Sequence, residues 1–328
     1  MKFFSQTPNF DFMAQRKIAL VVSLVLLVAS VASLATRSLN FGIDFTGGTE
    51  VAVRFESKLQ DGSDRTEQIE IQKIRKSVEE AGFIGSEIKS FGAEDDYLIR
   101  VQTTEEASAK VNQALASAFP DVVLTTLKDD TIQPKIGSEL QSQALLAVFL
   151  SVFFILLYIA FRFEFTFGLG AIVALVHDVV VTFIVIVIAQ RFGLNLEINQ
   201  TILAAMLTVV GYSINDTVII FDRIRENKEV YKGKTFVSMV NTSINETLSR
   251  TVNTVLTTFL VLLTLVLLGG PVLEGFAFTM LVGIITGTYS SIYIASSFVI
   301  WYNGKVKKMD VEGSSIKSQN AKVKAAKA

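Results

Sequence analysis

Long apolar runs separated by short charged segments make up most of the chain, and one stretch, residues 37–138, breaks that pattern with mixed periodicities. The apolar runs cover 18–36, 139–161, 166–189, 199–222, 248–268 and 275–302. Each is long enough to cross a hydrocarbon layer roughly 30 Å thick at about 1.5 Å of rise per residue. The pattern predicts a polytopic α-helical membrane protein with six transmembrane helices. The end of the first run, Ser33-Leu34-Ala35, looks like a signal-peptidase site. Its roughly 18 apolar residues exceed the ~7 to 15 of a signal segment, so it is read as a retained helix.

The exceptional stretch opens with FGIDFTGGTEVAVRF, Phe41 to Phe55. Gly47-Gly48 suits a turn, and Val51, Val53 and Phe55 alternate on one face of a strand. Thr66 to Gly82 places Ile71, Ile74, Val78 and Ala81 at helical spacing, and strands follow at Ser86–Phe91 and Tyr97–Thr103. A second helix, Glu105–Phe119, buries Ala107, Val111, Ala114, Leu115 and Ala118, with Thr103 and Glu106 in capping-box spacing. Val122–Leu127 supplies the last strand. The order βαββαβ predicts a small α+β ferredoxin-like domain between the first and second spans. It contains no His, no Cys and no phosphate loop, and its acidic residues are read as solvated or in loops such as Glu94-Asp95-Asp96. A binding or mechanical module fits these features better than an enzyme.

Half of the 328 residues are hydrophobic and the mean hydropathy is +0.47, which excludes an ordinary soluble protein. A net charge of −1 implies no attraction for nucleic acid. Without Cys, and with His177 as its single histidine, the chain has no disulfide framework and no multi-histidine metal site. Basic residues are strongly one-sided. Arg16, Lys17, Arg162, Arg223, Arg225, Lys228, Lys232, Lys234, Lys305, Lys307 and Lys308 fall together, whereas the short opposite loops carry Arg191 alone. The positive-inside rule puts both termini, 1–17 and the disordered basic tail 303–328, in the cytoplasm and residues 37–138 outside. Trp301 and Tyr302 suit an anchor at the inner interface. Residues 223–247 read as a cytoplasmic connector whose face of Val237, Val240 and Ile244, continuing to Leu248, lies along the inner surface. Gly269-Gly270-Pro271 marks a tight outer turn, and Gly283 and Gly287 form a small-residue packing face.

The candidate chemistry is a carboxylate inside an apolar helix. Asp216 lies about 9 Å short of Asp222, where charge returns, and an unpaired ionised Asp there costs roughly 2.5 to 3.5 kcal/mol. Arg250, near the start of the fifth span, can reach similar depth on a neighbouring helix, and Asn253, Thr254 and Thr257 share its face. An adjacent Arg favours the ionised carboxylate and a dry pocket the protonated one, so separating the pair would change proton affinity. His177-Asp178 forms a second ionisable pair, in the third span, and His titrates near neutral pH. For both pairs a purely structural role stands as the alternative. No GxGD pair, zinc motif or Ser-His arrangement supports an intramembrane enzyme.

Three stretches carry a close resemblance: GIDFTGG at Gly42–Gly48, GYSINDTVIIFDRIREN at Gly211–Asn227 and NTSINETLSRTVNTVLTT at Asn241–Thr258. Together they resemble the SecD/SecF family of bacterial protein-export subunits, which is similar to resistance-nodulation-division transporters. The roughly 100-residue external domain matches the SecF branch, since SecD carries a much larger one. The resemblance implies an inner-membrane protein with a periplasmic domain at 37–138, which works with SecD, the SecYEG channel and YajC on translocating unfolded polypeptide. It implies no cofactor, with the proton as coupling ion. Asp216 would carry the proton, Arg250 would gate it, and Ser213, Asn215, Asn253 and Thr254 would support them. His177 and Asp178 extend that path on the strength of the residues alone. Gly42, Asp44, Gly47 and Gly48 would be the family motif opening the domain. A resistance-nodulation-division small-molecule exporter and a passive subunit stabilising SecD are the alternatives.

Overall fold

The computed structural model describes residues 6–36, 41–57, 69–103, 105–192, 194, 196–231 and 233–313. Lys232, the stretch 58–68 where the first soluble helix was expected to begin, and the tail from 314 lie outside them. After a 3-10 turn at Met13–Gln15, the elements are α1 Arg16–Thr36, α2 Ile43–Thr46, β1 Gly48–Ser57, α3 Ile71–Glu80, β2 Glu87–Phe91, β3 Ala93–Val101, α4 Ala107–Ala118 and β4 Val122–Ile132. Then follow α5 Pro134–Arg162, α6 Phe165–Arg191, α7 Gln200–Val230, α8 Phe236–Leu268 and α9 Gly270–Ser290. A π-helical turn, Ser291–Ala295, joins α9 to α10, Ser296–Lys305.

The four strands form one antiparallel sheet in the order β2-β3-β1-β4. The alternation of β1 points Val51, Val53 and Phe55 into a core with Ile99, Ile74, Val78, Val111 and Leu115. Helices α3 and α4 cover that face. Three details depart from the sequence reading. Glu106 precedes α4 in the left-handed region, with φ 50° and no side-chain cap, so the capping box does not form. Asp95 and Asp96 lie in β3 and are buried; Asp96 pairs with its cross-strand neighbour Arg54 through bonds of 2.7 and 2.9 Å. Strand pairing supplies the counter-charge that an acidic tripeptide read locally does not reveal. Finally, β4 continues to Ile132, because polar Lys128–Ile132 pairs with Gly48–Ala52.

Five helices are long and apolar enough to cross a membrane: Pro134–Arg162, Phe165–Gln190, Gln200–Val230, Phe236–Leu268 and Val272–Lys305. Helix α1, 21 residues, packs beside α6. The glycine face on α9 meets α7 closely. A Cβ on Gly283 would fall 2.2 Å from the Val209 side chain, and one on Gly287 3.0 Å from Ser213. Gly283→Val is expected to destabilise the purified protein by about 1 to 3 kcal/mol through overpacking, measured by unfolding in detergent. Gly211→Ala, where nothing lies within 4 Å, is the control that should unfold like wild type.

The connector expected at residues 223–247 requires correction. No separate helix lies on the surface: α7 runs on to Val230, and α8 is continuous from Phe236 to Leu268. Thr235 caps it by accepting from the Ser238 N–H (3.2 Å), and no Gly or Pro interrupts it before Gly269. Its first turns bury Met239, Val240, Ser243, Ile244 and Thr247. The amphipathic face packs on protein: Asn227 donates to Ser243 (2.8 Å), Arg223 pairs with Glu246 (2.6 Å), and Asn245 accepts from the Phe10 N–H (2.8 Å).

The soluble domain is fastened to the start of α7. Gly42 N–H donates to the Ile198 carbonyl (2.9 Å), and Asp44 accepts from the Gln200 N–H (3.0 Å) at the positive end of the α7 dipole. Gly47, at φ 72°, lies so close to Pro134 that a Cβ would approach it to 2.7 Å. Glu197, in the loop before α7, pairs with Lys89 (2.8 Å) and Arg100 of the sheet, and Glu50 joins Arg100 (2.7 Å) to Lys128 (2.5 Å). Burial alone would raise the Glu50 carboxyl, but hydrogen bonds from Lys128 and Arg100 outweigh it and hold it below its ordinary value. A depressed carboxylate stabilises the fold above its unfolded value and loses that contribution as pH falls through the folded one. Thermal stability should therefore decline as pH falls below the ordinary glutamate value of 4.5, and Glu50→Gln should flatten that part of the profile.

Candidate functional site

Helices α1, α6, α7 and α9 converge on a buried polar network centred on Asp178, which is 1% exposed. Its Oδ1 lies 3.0 Å from His177 Nδ1, and its Oδ2 accepts from Ser213 Oγ (2.5 Å) and Ser290 Oγ (2.7 Å). His177 Nε2 is 3.0 Å from Ser23 Oγ; Ser23 donates to the Tyr289 hydroxyl (3.1 Å), which donates to the Ala19 carbonyl (2.5 Å). One turn along α7, Thr217 and Ser291 hydroxyls meet at 2.9 Å.

The two ring nitrogens of His177 thus lie between the Asp178 carboxyl and the Ser23 hydroxyl, and hydroxyls from three further side chains, Ser213, Ser290 and Tyr289, complete an unbroken chain of hydrogen-bonding groups across four helices.

Asp216 lies one turn beyond Ser213 and is 2% exposed. It faces toward α8, where the charge of Arg250 acts on it, but no ion pair within 4.0 Å joins them. Arg250 is exposed. Thr254 donates to the Arg250 carbonyl (3.0 Å), and its own carbonyl accepts from Tyr212 (3.2 Å), which ties α8 to α7. Asn253 is half-buried on the same side.

The expected site residues thus separate into two groups. His177, Asp178 and Ser213 meet in the network, while Asp216 lies on α7 and Arg250, Asn253 and Thr254 on α8, the two helices tied here by Tyr212 and Thr254. Asn215 joins neither and is exposed, because one residue turns the helix by about 100°. Gly42, Asp44, Gly47 and Gly48 sit at the domain base. Sequence reasoning missed Ser23, Thr217, Tyr289, Ser290 and Ser291. The signal was the hydroxyl-rich run SSIYIASS, Ser290–Ser297, inside an apolar span, where the π turn lets Ser296 reach the Ser291 carbonyl (3.1 Å). Among the described residues, no cluster of three or more His, Cys, Asp or Glu could hold a metal ion.

Two family models match: "Protein export membrane protein SecD/SecF, C-terminal" over residues 110–305, and "SecD/SecF GG Motif" over 32–58. The chain is 40% identical over 301 residues to protein translocase subunit SecF of Desulfurispirillum indicum, covering 89% of this chain and 91% of that one. It is 39% identical over 294 residues to SecF of Pseudomonas aeruginosa, covering 89% and 91%. The crystal structure of SecDF from Thermus thermophilus, a translocon-associated membrane protein, superposes with a TM-score of 0.78 at 36% identity. That match covers 92% of this chain and 40% of the longer SecDF chain. The chain belongs to the SecF family of protein translocase subunits.

Proposed function

We propose that the chain is a proton-coupled motor subunit that pairs with a SecD-type partner to drive late steps of polypeptide export through SecYEG. The observation that carries this reading is Asp216: buried inside an apolar helix, within the field of Arg250, yet not bound to it. A carboxylate so placed can exchange a proton when the helices move. In this reading α1 is a sixth crossing helix, both termini are cytoplasmic, and the ferredoxin-like domain is periplasmic on the inner membrane. The match to SecDF, where SecD and SecF names share one chain, supports the SecD partnership. SecYEG and YajC complete the proposed assembly.

The domain's attachments suit transmission. Asp44 joins it to the first residue of the helix that carries Asp216, and Glu197 joins it to the loop just before that helix, so displacement of α7 would be felt by the sheet. One proton moving through 100 mV supplies about 2.3 kcal/mol, whereas a near-complete two-state switch needs about 5.5. A larger total gradient or more than one proton per cycle is required, and the His177–Asp178 network is a second place to hold one.

The test is polypeptide export into inverted vesicles from cells depleted of this chain. Adding back the chain with its partner should restore the component that collapses with a protonophore. Restoration that a protonophore leaves untouched would point to a passive assembly subunit.

A further inference from the structure

At the basic end of the bundle, where α1 begins and α10 ends, the two helices and residues 308–312 enclose a cleft of about 720 Å³. Its lining is divided. Arg16, Lys17, Lys305 and Lys308 supply four cations against the carboxylates of Asp310 and Glu312. Glu312 is taken up by Arg16 at 2.5 Å, while Lys17, Lys305 and Lys308 enter no ion pair among the described residues. Leu20, Ile300 and Trp301 form an apolar wall, and Leu20 and Trp301 are 42% and 53% exposed. Ser297 also lines the cleft. It is 4% exposed, and its hydroxyl has no hydrogen-bond partner among the described residues.

Each feature narrows the occupant. Lysines that enter no ion pair among the described residues call for an anion at one end. An apolar wall continuing along the helices calls for hydrocarbon attached to that anion, which a free phosphate lacks. A buried hydroxyl with no partner among the described residues calls for a polar atom, such as an ester oxygen. Basic clefts between crossing helices on the inner side have the chemistry that captures lipid headgroups.

We propose that this cleft is a binding site for one anionic phospholipid, its phosphate held by Lys17, Lys305 and Lys308 and its acyl chain lying against Leu20, Ile300 and Trp301. The site rests on the reading that α1 and α9–α10 cross the membrane with their basic ends inward. An occupant there bridges the first and last crossing helices, and α1 also carries Ser23 of the buried network. Lipid charge would thereby bear on how firmly α1 is held.

The test uses the full-length protein, delipidated in detergent and titrated with phosphatidylglycerol or phosphatidylcholine, with bound lipid counted by native mass spectrometry. Wild type should prefer phosphatidylglycerol, and the triple variant Lys17→Gln, Lys305→Gln, Lys308→Gln should lose at least about tenfold of that preference. Lys234→Gln with Lys307→Gln, outside the cleft, should keep it. Ser297→Ala should weaken binding of both lipids alike. Equal loss in the two lysine sets would mean diffuse surface charge and overturn the site. Competition by glycerol phosphate at the lipid's own concentration would mean an anion site without a lipid, and also overturn it. Because the chain has no Cys, the single substitutions Thr7→Cys and Ser138→Cys, both at exposed positions, report topology independently. Labelling from opposite sides with no lipid preference would reject the cleft and leave the crossing intact.

Discussion

Asp216→Asn is expected to abolish the gradient-driven component of polypeptide export while the protein still assembles with its partner. Asparagine preserves the volume and most of the hydrogen-bonding capacity of the side chain but cannot change charge. Asp216 is buried, and with no ion pair to break, the amide leaves no stranded partner beyond an exposed arginine. Folding should therefore change little, whereas export stimulated by the proton gradient should fall to the level seen with a protonophore. Inverted vesicles with matched amounts of both subunits make the comparison. Undiminished stimulation would assign Asp216 a structural role. Arg250→Gln is the second arm: it removes the cation whose charge acts on Asp216. The expected result is stimulation that weakens and shifts its pH dependence.

Asp178→Ala should act differently, by destabilising the bundle. It strands the hydroxyl of Ser213 and one nitrogen of His177 at a buried site, while Ser290 keeps the Gly287 carbonyl at 3.1 Å as an acceptor. Unsatisfied buried groups cost about 1 to 3 kcal/mol each, and hydrogen bonds between membrane helices average nearer 0.6, so a total loss of roughly 2 to 3 kcal/mol from the two stranded groups is expected. Asp178→Asn still accepts from both serines and should lose only about 1 kcal/mol. Unfolding in detergent separates them. If the alanine variant unfolds like wild type, the network is not what holds α6, α7 and α9 together.

Much of this architecture is legible in the sequence. Hydropathy alone located the apolar helices, since a crossing segment must be long, apolar and internally hydrogen-bonded. Alternation in Val51, Val53 and Phe55 and helical spacing in Ile74 and Val78 marked the core faces of the soluble domain. Asp216 stood out because a charge in an apolar run is costly, and a cost is visible in one dimension. Serines and threonines in the same runs were not visible in that way. They satisfy themselves on their own helix, as Ser291 does with Gly287 (2.8 Å), so their presence predicts no partner.

What the sequence determined by itself was therefore each element's length, its apolar face and its most expensive residue, because these follow from local periodicity and solvation cost. The tertiary structure decided which polar groups meet. It placed Ser23, 154 residues from His177, on that ring nitrogen, turned Asn215 outward one residue before Asp216, and carried the early turns of α8 onto protein. Those outcomes depend on how helices rotate and approach, down to the two glycines that let α9 close on α7. No single segment contains that information, because a contact belongs to two helices at once.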